Sequence, residues 1–233
     1  MEWMFSKEKP LRVFSAFSGY DSQCMALRNL GIPYELVGWS EIDKYAIVAH
    51  DAVFPEWAGR NNGDICKIKW DNVPDFDLFT YSFPCTDISN AGRQRGFDEG
   101  SGTRSSLLWE CRKAIDTKRP KWLLMENVKA IINKKFQRGF TRWIEYLDSM
   151  GYANFMQVLN AKDYGIPQNR ERVFMVSILG DAWFSFPQPR PLDVKMVDLL
   201  EENVDEKYYL NQDKVDMFIA GLSGDKLEEL ENA

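Results

Sequence analysis

The stretch LRVFSAFSGYDSQCMALRNLGIPYELVGWSE, Leu11 to Glu41, decides how the rest of the chain is read. Leu11 to Ala16 is a short apolar run that predicts a buried strand, and Ser18-Gly19 breaks it. Met25, Leu27 and Leu30 then recur at helical spacing, and Gly31 ends that helix because glycine accepts the left-handed cap conformation. Tyr34 to Trp39 predicts a second strand. Working outward, Tyr45 to Val53 reads as a helix and Asp75 to Tyr81 as a third strand. Leu107, Leu108, Cys111, Ala114 and Ile115 again follow helical spacing. Trp122 to Met125 is a strand, Trp143 to Met150 completes a helix, and Phe155–Leu159 and Val173–Leu179 are strands. Strands alternating with helices predict an α/β sandwich, doubly wound around a mostly parallel sheet. Ligands in such sheets sit beyond the carboxyl ends of the strands.

The texture changes after Leu179. Phe186-Pro187-Gln188-Pro189-Arg190-Pro191 resists helix, and the remaining residues are acidic with a helical pattern near Val215–Leu222. The expected organisation is a catalytic domain over residues 1–190 and an acidic segment over residues 191–233. The 233 residues, 45% hydrophobic with a formal charge of −6, suffice for one well-buried domain. No apolar run approaches the ~20 residues of a membrane span, and the first residues lack a secretory core. Four cysteines with no CxxC pair, and the single His50, argue against zinc and for free thiols in a reducing cytoplasm. Charge is uneven: Thr86 to Arg142 holds 13 basic and 6 acidic residues, Asp193 to Ala233 holds 4 and 12. The middle of the chain can face phosphate; the tail cannot.

Several residues can carry chemistry. Cys85 follows Pro84 just past the third strand, and a thiolate is a strong nucleophile. Behind it, Asn90 to Gly96 supplies glycines for mobility and arginines for phosphate. Glu126 ends a strand, where a partly buried, protonated carboxyl can hydrogen-bond a ring nitrogen and make that ring electrophilic. Gln168, Arg170 and Arg172 alternate and so share a face; arginine binds phosphates or base oxygens in forked geometry. Each also has a plain reading: a structural cysteine, a solvated strand-end acid, a surface ladder with Glu171 and Asp163. The turn Phe17 to Ser22, between strand and helix, is where a nucleotide-like cofactor is usually held, although it has one glycine only. Glu41, about twenty residues on, stands where an acid reaches ribose hydroxyls. Asp64 can accept from an adenine amine.

In this order and at these separations, the pieces resemble the DNA cytosine-5 methyltransferase family. The resemblance runs from about Leu11 to Leu179. It rests on Phe83-Pro84-Cys85 with Ile88-Ser89, on Met125-Glu126-Asn127-Val128, and on Asn160 through Arg172 (NAKDYGIPQNRER). It implies the Rossmann-like sheet of S-adenosylmethionine-dependent methyltransferases and a target cytosine flipped from double-stranded DNA. By matching position, Cys85 attacks C6, Glu126 engages N3, Arg172 contacts the base near O2, and Asn127 and Arg170 brace the pocket. Phe17, Gly19, Glu41, Ile42, Asp64, Ile65, Pro84 and Leu107 line the cofactor site. Arg93, Arg95 and Arg104, with Gln168, meet the DNA.

The chain also departs from the family pattern. Asp21 and Ser22 stand where two further glycines are usual; a side chain there can cap the helix, but it also crowds the cofactor and places a carboxylate near its amino-acid end. Thr86 replaces the usual glutamine. No stretch resembles a target-recognition domain. The expectation is therefore the catalytic part of a split or truncated enzyme, with recognition on a second polypeptide and apolar surface left for a partner or for self-association. A non-catalytic interaction module and an RNA cytosine-5 methyltransferase are the alternatives.

Overall fold

The computed structural model describes residues 5–89 and 94–221. Two compact units divide the chain, Met1–Leu192 and Asp193–Ala233. In the first, β1 (Leu11–Ala16) is buried at five of its six positions, as a central strand covered on both faces must be. The turn after it leads to α1 (Ser22–Asn29). This helix ends in paired reversed bonds: Gly31, at φ +66°, donates to Arg28 O and Ile32 donates to Leu27 O. That is the glycine cap its sequence predicts. β2 (Tyr34–Ser40) comes next, then α2 (Lys44–Val53), whose first turn is capped by Asp43 accepting from Tyr45 and Ala46 N–H.

β3 is shorter than its apolar pattern suggests, Leu78–Tyr81. Asp77 ahead of it is engaged as an acceptor, taking the Arg12 N–H and guanidinium at 3.0–3.3 Å. Next come a 3-10 segment, Arg104–Glu110, and α3 (Cys111–Lys118). Leu107 and Leu108 thus lie ahead of the α-helix rather than in it, because the Thr103 side chain caps a tighter turn there. β4 (Trp122–Val128), α4 (Gln137–Ser149), β5 (Tyr152–Asn160) and β6 (Glu171–Leu179) complete the unit.

The sheet order is β2-β1-β3-β4-β6-β5. β1 pairs parallel with β2 and β3, and β3 with β4; β6 runs antiparallel between β4 and β5. Five strands therefore point one way and β6 alone is reversed. The connection from β1 turns toward β2 on one side, and β3 lies on the other. That switch opens a crevice at the carboxyl ends of β1, β2 and β3. β4 outruns β3: Met125 is the last residue paired with β3, while Glu126, Asn127 and Val128 pair only with Phe174, Val173 and Arg172 of β6. The reversed strand is what extends β4 past Met125.

One face of the sheet packs on α3 and α4 through Phe14, Phe79, Tyr81, Leu123, Met125 and the fully buried Trp143. Removing a core side chain of Trp143's size costs about 3–5 kcal/mol. On the other face, α1 and α2 cover β1 and β2 around Leu36, Trp39, Cys24 and Phe54. Farther along that face, Leu78, Leu124 and Phe174 remain half-exposed and line an open cleft of about 640 Å³.

The second unit contains two short 3-10 turns, Met196–Leu199 and Glu206–Tyr208, and α5 (Gln212–Ala220), capped by Asn211. The expected helical pattern from Val215 is present as α5; its far end at Leu222 lies outside the described residues. Among the described residues, no helix is long and apolar enough to cross a membrane.

Candidate active site

β4 alternates buried and half-exposed positions, which puts Leu123, Met125 and Asn127 on the core face and Leu124, Glu126 and Val128 on the open face. Arg172 and Phe174 of β6 share that open face, so Arg172, opposite Val128, is the diagonal neighbour of Glu126. Its Nε lies 3.1 Å from Glu126 Oε1, and Arg170 reaches the same oxygen at 4.0 Å. The carboxylate is only partly exposed, and two guanidinium groups meet it there. Glu126 therefore belongs to the interior of a paired strand, and the plain reading as a solvated strand-end acid does not describe it.

Asn127 points the opposite way and is buried. Its Nδ2 donates to Phe83 O at 2.9 Å, and its Oδ1 accepts the Val128 N–H. This ties the end of β4 to the residue two before Cys85. The half-buried Cys85 sits in a turn whose geometry comes from its own carbonyl, which accepts from both Ile88 and Ser89 N–H. Ser89, Val128 and Arg172 line one polar hollow of about 480 Å³, so the Cys85 turn and the arginine stand around a common space.

Two residues overlooked in the sequence hold this turn. Ser105 Oγ donates to Pro84 O at 2.6 Å and accepts the Asp87 N–H at 3.2 Å, bridging the residues on either side of Cys85. Asp87, 2% exposed, accepts Arg95 Nε at 2.8 Å and Arg104 N–H at 3.0 Å. The Arg95 guanidinium holds the Asp87 carboxyl below its ordinary value, with help from the Arg104 and Ser105 N–H groups. Neither Asp87 nor Ser105 carries a signal in the sequence, because both act through the backbone around Cys85. Arg95 and Arg104 are exposed, as is Gln168 in the turn before β6; Arg93 lies outside the described residues.

The crevice at the switch point holds a cavity of about 220 Å³. Phe17, Glu41, Ile42, Asp64, Ile65, Pro84 and Leu107 line it, with Ser40, Gly63 and Ser82. Gly19 is not on its wall; its N–H donates to Glu41 Oε2 at 3.0 Å. The other carboxylate oxygen of Glu41 accepts from Ile42 and Asp43 N–H, so this acid is pinned at the cavity's rim. Asp64 caps a 3-10 turn by accepting from Cys66 N–H, the chief cause of its lowered pKa. Apolar side chains suited to a flat heterocycle, with two carboxylates for hydroxyl and amino donors, fit an adenosyl group. Phe17 and Ser82 also line the open cleft that contains Glu126 and Arg170, so the cavity and the acid–arginine pair lie side by side.

The carboxylate of Asp21 is not in this cavity. It is fully buried, caps α1 by accepting the Cys24 N–H, and its Oδ2 faces His50 Nε2 at 3.8 Å. The expected cap is present, whereas the carboxylate expected near the cofactor's amino-acid end is turned inward toward His50 instead.

The chain is similar to known proteins along most of its length. A family model described as C-5 cytosine-specific DNA methylase matches residues 11–222. The chain is 43% identical over 257 residues to the type II methyltransferase M2.ScrFI of Lactococcus lactis subsp. cremoris, covering 88% of this chain and 71% of that protein. It is 36% identical over 250 residues to the orphan methyltransferase M.SPRI of Bacillus phage SPR, covering 94% of this chain and 56% of the phage protein. Among solved structures, S. pombe Dnmt2 methyltransferase superposes with a TM-score of 0.70 at 18% identity, over 92% of this chain and 67% of that one. Entamoeba histolytica EhMeth gives 0.71 at 19%, over 89% and 65%. At such identities these two likenesses are of fold. By sequence, the chain belongs to the C-5 cytosine-specific DNA methylase family.

Proposed function

We propose that this chain methylates C5 of cytosine in double-stranded DNA through a covalent bond between Cys85 and C6 of a base turned out of the duplex. The observation that carries the reading is the Glu126 carboxylate held by Arg172 and Arg170 beside the turn that bears Cys85. The Cys85 thiolate adds to C6 and the C5–C6 π pair moves into the ring. The C4–N3 pair shifts to N3, where Glu126 in its protonated form donates a proton, leaving an enamine whose C5 is nucleophilic. Arg172 contacts O2; Asn127 and Arg170 brace the acid and the turn. S-adenosylmethionine, held by Phe17, Glu41, Ile42, Asp64, Ile65, Pro84 and Leu107, supplies the methyl group. Loss of the C5 proton to a base and departure of the Cys85 thiolate from C6 restore the aromatic ring.

Arg93, Arg95, Arg104 and Gln168 are assigned to the DNA backbone and bases. The chain spans 56% of the phage relative and 71% of the lactococcal one. Base recognition is therefore assigned to protein beyond the sheet unit, on further sequence or on a second polypeptide. The half-exposed apolar face of β3, β4 and β6 supports a protein cover, by such a partner or by self-association.

The test is covalent trapping with labelled S-adenosylmethionine and duplex DNA carrying 5-fluorocytosine, read on a denaturing gel. Fluorine at C5 blocks the final elimination. A labelled adduct that disappears in Cys85→Ser is expected. No adduct from folded protein, even after a recognition polypeptide is added, would refute the reading.

A further inference from the structure

The turn that walls the proposed cofactor cavity is conformationally costly. Phe17, Gly19 and Asp21 have φ of 55°, 56° and 63°, and only the glycine accepts that region freely. A bulky side chain is strained in it, and aspartate is held there only by local hydrogen bonding. Something must hold them, and the surroundings of Asp21 show what does. Its Oδ1 caps α1 through Cys24 N–H at 3.2 Å. Its Oδ2 is buried with no hydrogen-bond partner and faces Nε2 of His50, which is likewise buried and unpartnered, at 3.8 Å. His50, the chain's single histidine, is stacked on Trp39 of β2 with centroids 3.7 Å apart and lies against Phe54. Its Nδ1 faces Asp51 Oδ1 at 3.6 Å. Cys24 is the remaining titratable group beside Asp21, its thiol pushed well up by burial.

A buried carboxylate oxygen without a donor is disfavoured, and Nε2 of His50 is the polar atom that faces Oδ2. The pairing joins the β1–α1 turn to the middle of α2. A second tie, Gly19 N–H to Glu41, joins the same turn to the residue that follows β2. Phe17 and Glu41, on opposite sides of these ties, both line the cavity.

We propose that Asp21 and His50 are positioning residues for the cofactor: their pairing holds the left-handed turn in the shape that a run of glycines would otherwise permit. This inference rests on the proposed cofactor site. The experiment is calorimetric titration with S-adenosylhomocysteine, alongside thermal denaturation, for the wild type, His50→Phe, His50→Gln, Asp21→Asn and the double variant His50→Phe/Asp21→Asn. His50→Phe keeps the ring stacked on Trp39 but removes the donor; it should weaken binding about tenfold. His50→Gln, which restores a donor, should recover most of that loss even if its melting temperature stays low. The double variant should bind no worse than the weaker single variant. Wild-type affinity in His50→Phe overturns the inference. Should His50→Phe fail to fold, His50→Met, which also lacks the donor, takes its place, and unchanged affinity there overturns the inference equally. A wild type that binds no S-adenosylhomocysteine overturns the cofactor reading itself, which separates the two failures.

Discussion

Glu126 illustrates what one residue's setting adds to its chemistry. A carboxylate beside one arginine is an ordinary surface pair of small energetic value. Here Arg172 and Arg170 both meet it on a half-covered sheet face, and the next residue, Asn127, fixes the nucleophile's turn from the opposite side of the strand. Strand alternation makes the division of labour possible. Glu126→Gln keeps the shape and removes the acid. We predict a loss of about 10²–10⁴-fold in the single-turnover methylation rate, the range for a general acid–base group, with S-adenosylhomocysteine affinity unchanged within threefold. A rate near wild type would sink the role given to Glu126. Cys85, Glu126 and Arg172 were legible as candidates because the chemistry proposed for them is written in residue type and order. Asp87 and Ser105 were not, since they act through the backbone around Cys85 and nothing in the string says what they touch.

At the scale of elements, the Cys85 turn and the segment from Arg95 to Ser105 are bound through Asp87. The Arg95 guanidinium lowers the Asp87 carboxyl from its ordinary 3.8. A group depressed in the folded state stabilises it above the unfolded value, and that contribution is lost as pH falls through the folded value. Trp109, whose Nε1–H is bonded to Phe97 O in this segment, should report an acid transition below about pH 4 that is altered in Asp87→Asn. Identical titrations in both proteins would rule the linkage out. Gly165, in the stretch leading to β6, has φ +83°, and a Cβ there would lie 2.8 Å from Arg190 Nε. Arg190 Nε itself donates to Tyr164 O at 2.7 Å. Gly165→Ala should therefore destabilise by about 1–2 kcal/mol or more in urea denaturation, from the left-handed backbone alone; an unchanged midpoint would contradict this. The strands and helices were largely readable from periodicity. The starts of β3 and α3 were not, because Asp77 and Thr103 redirect local hydrogen bonds that an apolar pattern does not display.

Among the described residues of the first unit, the sheet has one face closed by α3 and α4 and the other covered only near β1 and β2. If that open face is a docking surface, the chain's light-scattering mass should rise with concentration and fall in Phe174→Lys. A sharply monomeric profile at high concentration would count against it. From the sequence alone came the alternation of strands and helices, the glycine end of α1, and the identities and order of Cys85, Glu126 and Arg172. These depend on residue type and short-range periodicity, which a string preserves. Only the tertiary structure decided that β6 runs backward beside β4 and so brings Arg172 to Glu126. It alone turned Asp21 inward to His50, 29 positions away. Pairing register and the direction in which a buried polar group finds its partner are set by packing between distant segments, and no local window of sequence contains them.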